Sequence, residues 1–194
     1  MPPPPIDNAS DRIDTPAAFT PHSVGGVWEY DRLCARGELV EILPGVAIPQ
    51  EQPLHHQLRI RVAQCVVPET ATLAVHGAAW LHCGGPVPSR LPVCFDRFAN
   101  RPRNNPAIVP HPGRVWPSNV KAFGSLRVTT AKRTIIDLAL LQEPTAAEWV
   151  RRFSTHKMAL TAAQEFLLQV PHYSMEAAIR ERALDIVSDV LCLS

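Results

Sequence analysis

Arginine and lysine carry the most legible chemistry in this chain. Residues 51–133 hold eleven of them against three acids, whereas residues 1–50 hold three arginines and seven acids, and residues 134–194 five basic and eight acidic residues. The whole chain has a formal net charge of +1, so the sign of its partner is written in the distribution and not in the total. Within the basic stretch, Arg97, Arg101, Arg103, Arg114, Lys121 and Arg127 follow one another with Asp96 nearly the lone acid among them, and Trp116 stands close by. Guanidinium groups with an aromatic neighbour suit a polyanion, because phosphate contacts supply most nucleic-acid affinity. A second pair, Arg32 and Arg36, is spaced to lie on one face of a helix. Glu29, Asp31, Glu38 and Glu41 surround that pair, which makes it the less attractive face for phosphate.

Other chemistries fit the residues poorly. His76, His82, Cys83 and Cys94 cluster in sequence, with His55-His56 upstream. Structural zinc takes four ligands at recurrent short spacings. His82 and Cys83 are adjacent, so on a helix they diverge by about 100°. No metal or other cofactor is expected, and His76 reads as a cap or turn residue. Cys83 beside His82, or Ser154 near His156, lacks both a glycine-elbow context and an orienting third residue. Gly84-Gly85-Pro86 lacks the Lys-Ser/Thr of a phosphate loop. The expectation is a protein that is not an enzyme.

The elements that must position these groups follow from periodicity. A helix is expected between Pro21 and Gly37, with Val27, Trp28 and Leu33 as its apolar positions, then a hairpin over 38–48 turning at Pro44-Gly45. A helix followed by a two-stranded wing is the back half of a winged helix-turn-helix. Only Ile13 to Phe19 precede it, so the element is reduced. Leu54, Leu58, Val62 and Cys65 mark a linking helix. Strands are expected at 72–75, 91–95, 107–110 and 126–128, and helices at 131–142, 145–155, 160–169 and 174–190. In the first of these helices, Thr129 or Thr130 offers a hydroxyl cap. Arg133 and Asp137 stand one turn apart, and Ile135, Ile136 and Leu138 give an apolar side. That ion pair reads as structural. The fold class is α+β: a flexible Pro-rich tail (1–18), a reduced winged-helix element (19–50), a linker helix (51–68) and a mixed domain with C-terminal helices (69–194).

Three stretches together carry a resemblance. They are Leu33-Cys-Ala-Arg-Gly-Glu-Leu-Val-Glu-Ile-Leu-Pro-Gly-Val46, His76-Gly-Ala-Ala-Trp-Leu-His-Cys-Gly84 and Val128-Thr-Thr-Ala-Lys-Arg-Thr-Ile-Ile-Asp-Leu-Ala139. In order and spacing they resemble the antitoxin component of AbiE-type abortive-infection systems, over roughly residues 25–160. The signature positions are His76, Trp80, Thr130, Arg133 and Asp137. The resemblance implies a transcriptional regulator that binds its own promoter DNA through the winged helix. It also implies opposition to a nucleotidyltransferase-like toxin, through functions that need the second domain. The chain resembles a short member without the family's C-terminal nuclease-like domain. The expected DNA-binding residues are Arg32, Arg36, Arg97, Arg101, Arg103, Arg114 and Lys121. The alternative is an interaction module of the same family that has lost DNA binding.

Compartment is read from composition. No run approaches the ~18 apolar residues of a membrane span. Met-Pro-Pro-Pro-Pro-Ile-Asp has neither the basic start nor the apolar core of a secretory signal. Five cysteines without CxxC spacing read as free thiols in a reducing compartment, so cytoplasmic residence is expected.

Overall fold

The structure is a computed structural model that describes residues 17–96, 104–171 and 175–193. It is a mixed α+β fold. The first part runs α1 (Val27–Ala35), β1 (Leu39–Leu43), β2 (Val46–Pro49) and α2 (His56–Val66), a helix–strand–strand–helix order consistent with a winged helix. β1 and β2 pair antiparallel, with Val40 opposite Ile48. Gly45 takes a φ of 76° at the turn, where a side chain would be strained, and its N–H donates to Glu41 Oε1 at 2.6 Å. Phe19 adds a bridge to this wing by exchanging both backbone hydrogen bonds with Ala47.

The buried contact between α1 and the wing differs from the one the sequence suggests. Val27 and Trp28 are 63% and 76% exposed, and the apolar position is taken instead by Tyr30, which is buried with Leu39 and Ala47. Helix phase explains the change. With Tyr30 inward, Leu33 and Cys34 follow it at i+3 and i+4 onto the same side, and Trp28 turns outward.

The second part holds β3 (Ala71–Leu73), α3 (Val75–Cys83), β4 (Leu91–Phe95), β5 (Ile108–Pro110), a 3₁₀ turn (Pro117–Asn119), β6 (Val120–Phe123) and β7 (Leu126–Thr129). The five strands form one sheet in the order β5-β4-β3-β7-β6, with β3–β7 and β4–β5 parallel and the other pairs antiparallel. Four helices close the chain: α4 (Ala131–Leu140), α5 (Ala146–Arg151), α6 (Lys157–Gln169) and α7 (Ala177–Cys192).

Two cores lie on either side of the sheet. On one side Leu73, Val93, Leu126 and Val128 pack with Leu58 and Val62 of α2 and with Leu43, Val46 and Ile48 of the wing hairpin. On the other, Ile135 and Leu138 of α4 pack with Phe153, Leu160, Leu167 and Val187. Side chains of this size contribute about 1.5–3 kcal/mol each on full burial. Among the described residues no helix is long and apolar enough to cross a membrane.

Candidate nucleic-acid interface

α1 precedes the wing directly, which places Trp28, Asp31 and Arg32 on its exposed side. Arg32 is already engaged there. Its Nε donates to Glu29 Oε2 at 2.9 Å and its Nη2 to Oε1 at 2.5 Å. That hydrogen bond holds the Glu29 carboxyl below the usual carboxylate range. The guanidinium also lies 5.8 Å from the Trp28 ring centroid. Arg36 sits at the C-cap, one residue beyond the helix, with Nε 2.9 Å from Glu38 Oε1. Exposed pairs of this kind are weak and screened by salt, so an incoming phosphate can exchange with the carboxylate.

The sheet divides the basic residues of the middle third between its two faces. Lys121 lies opposite Val128, whose side chain is in the α2-side core, and its Nζ lies 4.9 Å from the Phe123 ring centroid. Phe123 meets the His56 ring edge-on at 5.6 Å. Arg127 alternates to the other face, and there it is not a free cation. Its two terminal nitrogens reach across β3 to Asp96, at 2.7 and 3.2 Å, and hold the Asp96 carboxyl below its ordinary range. Asp96 is therefore paired, contrary to its isolation in the sequence, because the β4–β3–β7 order brings positions 96 and 127 together. Arg114 stacks 4.1 Å from the centroid of Trp116, which is 53% exposed. Among the described residues no carboxylate pairs with Arg114 or Lys121. Arg97, Arg101 and Arg103 lie outside the described residues.

The remaining residues singled out in the sequence lie at α4 (Thr130, Arg133, Asp137) and on α3 (His76, Trp80). Thr130 caps α4, its hydroxyl accepting from the Arg133 N–H at 3.4 Å. The hydroxyls of Thr129 and Thr134 are 2.7 Å apart in the core, and Thr134 also donates to the Thr130 carbonyl at 2.9 Å. Arg133 Nε donates to Asp137 Oδ1 at 2.8 Å. Asp137 is deeply buried, and burial pushes its carboxyl above the usual range in spite of Arg133. Trp80 is fully buried and anchors α3. His76, on the first turn of α3, has its Nε2 3.5 Å from Glu143 Oε2, outside hydrogen-bond geometry, and its ring 5.3 Å from that of Trp149. Val75 before it adopts φ 49°, a strained setting for a β-branched residue.

Two tethers have no signal in the sequence. Arg59 of α2 donates to the carbonyls of Leu54 and Leu81, tying α2 to the end of α3. His82 Nε2 lies 2.8 Å from the Thr129 carbonyl, so the ring donates from Nε2 and links α3 to β7. Both partners are backbone carbonyls, which carry no residue-type signature.

No family model and no curated protein matches the chain. One solved structure, the RV2827C protein from Mycobacterium tuberculosis, is similar over 92% of this chain and 77% of its own, at 15% identity and a TM-score of 0.42. At that identity and score nothing about function is carried over from it.

Proposed function

We propose that this chain is an AbiE-type antitoxin-like transcriptional regulator that binds promoter DNA and opposes a nucleotidyltransferase-like toxin. The observation that carries the reading is the order of α1 and the β1–β2 hairpin, folded together through Tyr30, Leu39 and Ala47. A helix fixed against a hairpin in that order presents one exposed helical side and one turn to a groove and its flanking phosphates. Arg32 and Arg36 lie at that surface. Arg114 and Lys121, on the two faces of the sheet, add charge from the second part that no carboxylate pairs with among the described residues. A gel shift with the DNA upstream of the chain's own gene, at low and at physiological salt, tests the reading. Binding that is stronger on this DNA than on unrelated duplex, and weaker at higher salt, is the expected result. Equal or absent binding refutes it.

One observation favours a second reading, in which the chain acts on a protein partner without binding DNA. Both α1-proximal arginines hold carboxylates, and beside them Trp28 is 76% exposed. Exposed tryptophan and arginine are the residue types that dominate protein–protein contacts. Co-purification with the product of a neighbouring toxin gene, lost on Trp28→Ala and accompanied by no DNA shift, favours this reading over the first.

A further inference from the structure

On the sheet face that carries Arg127 lies a cleft of about 820 Å³. Its floor is a cross-strand row: Thr72 of β3 pairs with Cys94 on one side and with Arg127 on the other. Its wall is the loop before the 3₁₀ turn, which brings Arg114 and Trp116 over that row. We propose that this cleft holds an unpaired nucleobase of a single-stranded nucleic acid. The site stands whether or not α1 contacts duplex DNA.

Three features point to a base and not to a phosphate alone. The first is a stacking platform: the Arg114 guanidinium lies on the Trp116 ring at 4.1 Å, and the indole remains half exposed beside the cleft. Unstacked bases are held on aromatic rings and on guanidinium planes in this way. The second is charge compensation. Arg127 is held by Asp96 through two hydrogen bonds, so its plane is fixed while much of its charge is already answered. A site built for phosphate alone has no use for that carboxylate. The third is edge recognition. The Asp96 carboxylate is 55% exposed and accepts, while the Arg127 guanidinium donates. A base edge presents ring N–H or amino donors beside carbonyl acceptors, and the lone pairs and N–H groups that the Asp96–Arg127 pair leaves over can meet them. Bases in a duplex keep their faces stacked inside the helix, so this platform selects unpaired nucleotides.

The test is fluorescence anisotropy on the full chain at physiological salt. The probes are short labelled oligodeoxyuridylate, oligouridylate and a duplex of the same length. Both single strands, or one of them, bind more tightly than the duplex, and preference for oligouridylate over oligodeoxyuridylate, which differ only in the 2′-hydroxyl, identifies RNA as the source. Trp116→Ala weakens single-strand binding by roughly 5- to 150-fold, the loss expected for one stacked base, while Trp116→Phe retains most of it. Arg114→Lys keeps the charge but loses the planar stack, and weakens binding less than Trp116→Ala. Trp116 is exposed, so an unchanged thermal unfolding curve verifies the fold of each variant. Three results overturn the site: no binding of either single strand, an affinity unchanged by Trp116→Ala, or an equal loss on the duplex.

Discussion

Glu29 and Arg32 face each other across one turn of α1, with both guanidinium hydrogen bonds made to a single carboxylate at 2.9 and 2.5 Å. The pair lies on the exposed side of the helix that precedes the wing. It therefore competes with any phosphate that approaches there. Glu29→Gln leaves Arg32 unpaired, and together with Glu38→Gln, which frees Arg36, it is expected to tighten upstream-DNA binding. Each further phosphate neutralised by a freed arginine steepens the slope of log K against log salt by roughly 0.9. A salt titration of the double variant beside the native chain reads both effects.

Arg133 and Asp137 give a stability prediction. Asp137 is mostly buried, and its folded carboxyl titrates above the ordinary 3.8 even with Arg133 in place. Arg133→Met removes that partner and strands the carboxylate, at an expected cost of up to roughly 3–5 kcal/mol at neutral pH. A raised acid pKa means the folded state binds the proton more readily. The contribution of Asp137 is therefore fully present below the unfolded pKa and is lost as pH rises through the folded one. The variant should recover part of its deficit on acidification through that window, and urea unfolding at several pH values measures it. Arg133→Met with Asp137→Leu, which leaves no stranded charge, should cost less than Arg133→Met alone.

Gly77 is set by packing. A Cβ there meets Leu73 Cδ1 at 2.6 Å and Pro92 Cδ at 3.4 Å, and Leu73 is fully buried. Alanine is worth up to ~1 kcal/mol over glycine in a helix interior. Overpacking a core costs about 1–3 kcal/mol. The second effect is expected to win, so Gly77→Ala lowers the denaturation midpoint. A rise instead would mean that α3 can move off β3.

Two half-buried histidines are expected to make the fold acid-sensitive. Burial holds His76 and His82 below 6.5, with neighbouring cations adding to the effect at His82. At His82 these are His156, Lys121 and His56, opposed by the hydrogen bond to the Thr129 carbonyl; at His76, Glu143 opposes burial and His111 reinforces it. A depressed folded pKa gives stability that is present above 6.5 and lost as pH falls through the folded value. Unfolding midpoints should therefore fall on acidification below 6.5. His82→Gln, which keeps a donor for Thr129, should flatten that fall. An identical pH profile in the variant would assign the sensitivity to other groups.

Much of the fold is legible in the residues because local signals agree. Pro44-Gly45 between alternating runs gives the hairpin, and Thr130 ahead of an apolar helical pattern gives α4 with its cap. β6 is not legible: Val120–Phe123 is an edge strand with a lysine in it, and its pairing is fixed by β7 and by Gln64, which donates to the Phe123 carbonyl at 2.9 Å. The candidate site is legible in residue type and not in arrangement. Arg114, Lys121 and Arg127 form one basic run in sequence, but strand alternation sends Lys121 and Arg127 to opposite faces. Pairing across 31 residues gives Arg127 to Asp96. Trp28 departs in the other direction: an apolar residue in an apolar pattern lies outside, because Tyr30 sets the helix phase.

The most direct measurement is the affinity of the full chain for duplex DNA from upstream of its own gene, compared with its Arg32→Ala, Arg36→Ala variant and with unrelated duplex across a salt series. The proposed regulator binds its upstream DNA in preference to the unrelated duplex. It weakens as salt rises, and it loses both affinity and slope when the two arginines are removed. An affinity for upstream DNA no greater than for unrelated duplex, or one unchanged in the double variant, contradicts DNA recognition by α1 and the wing.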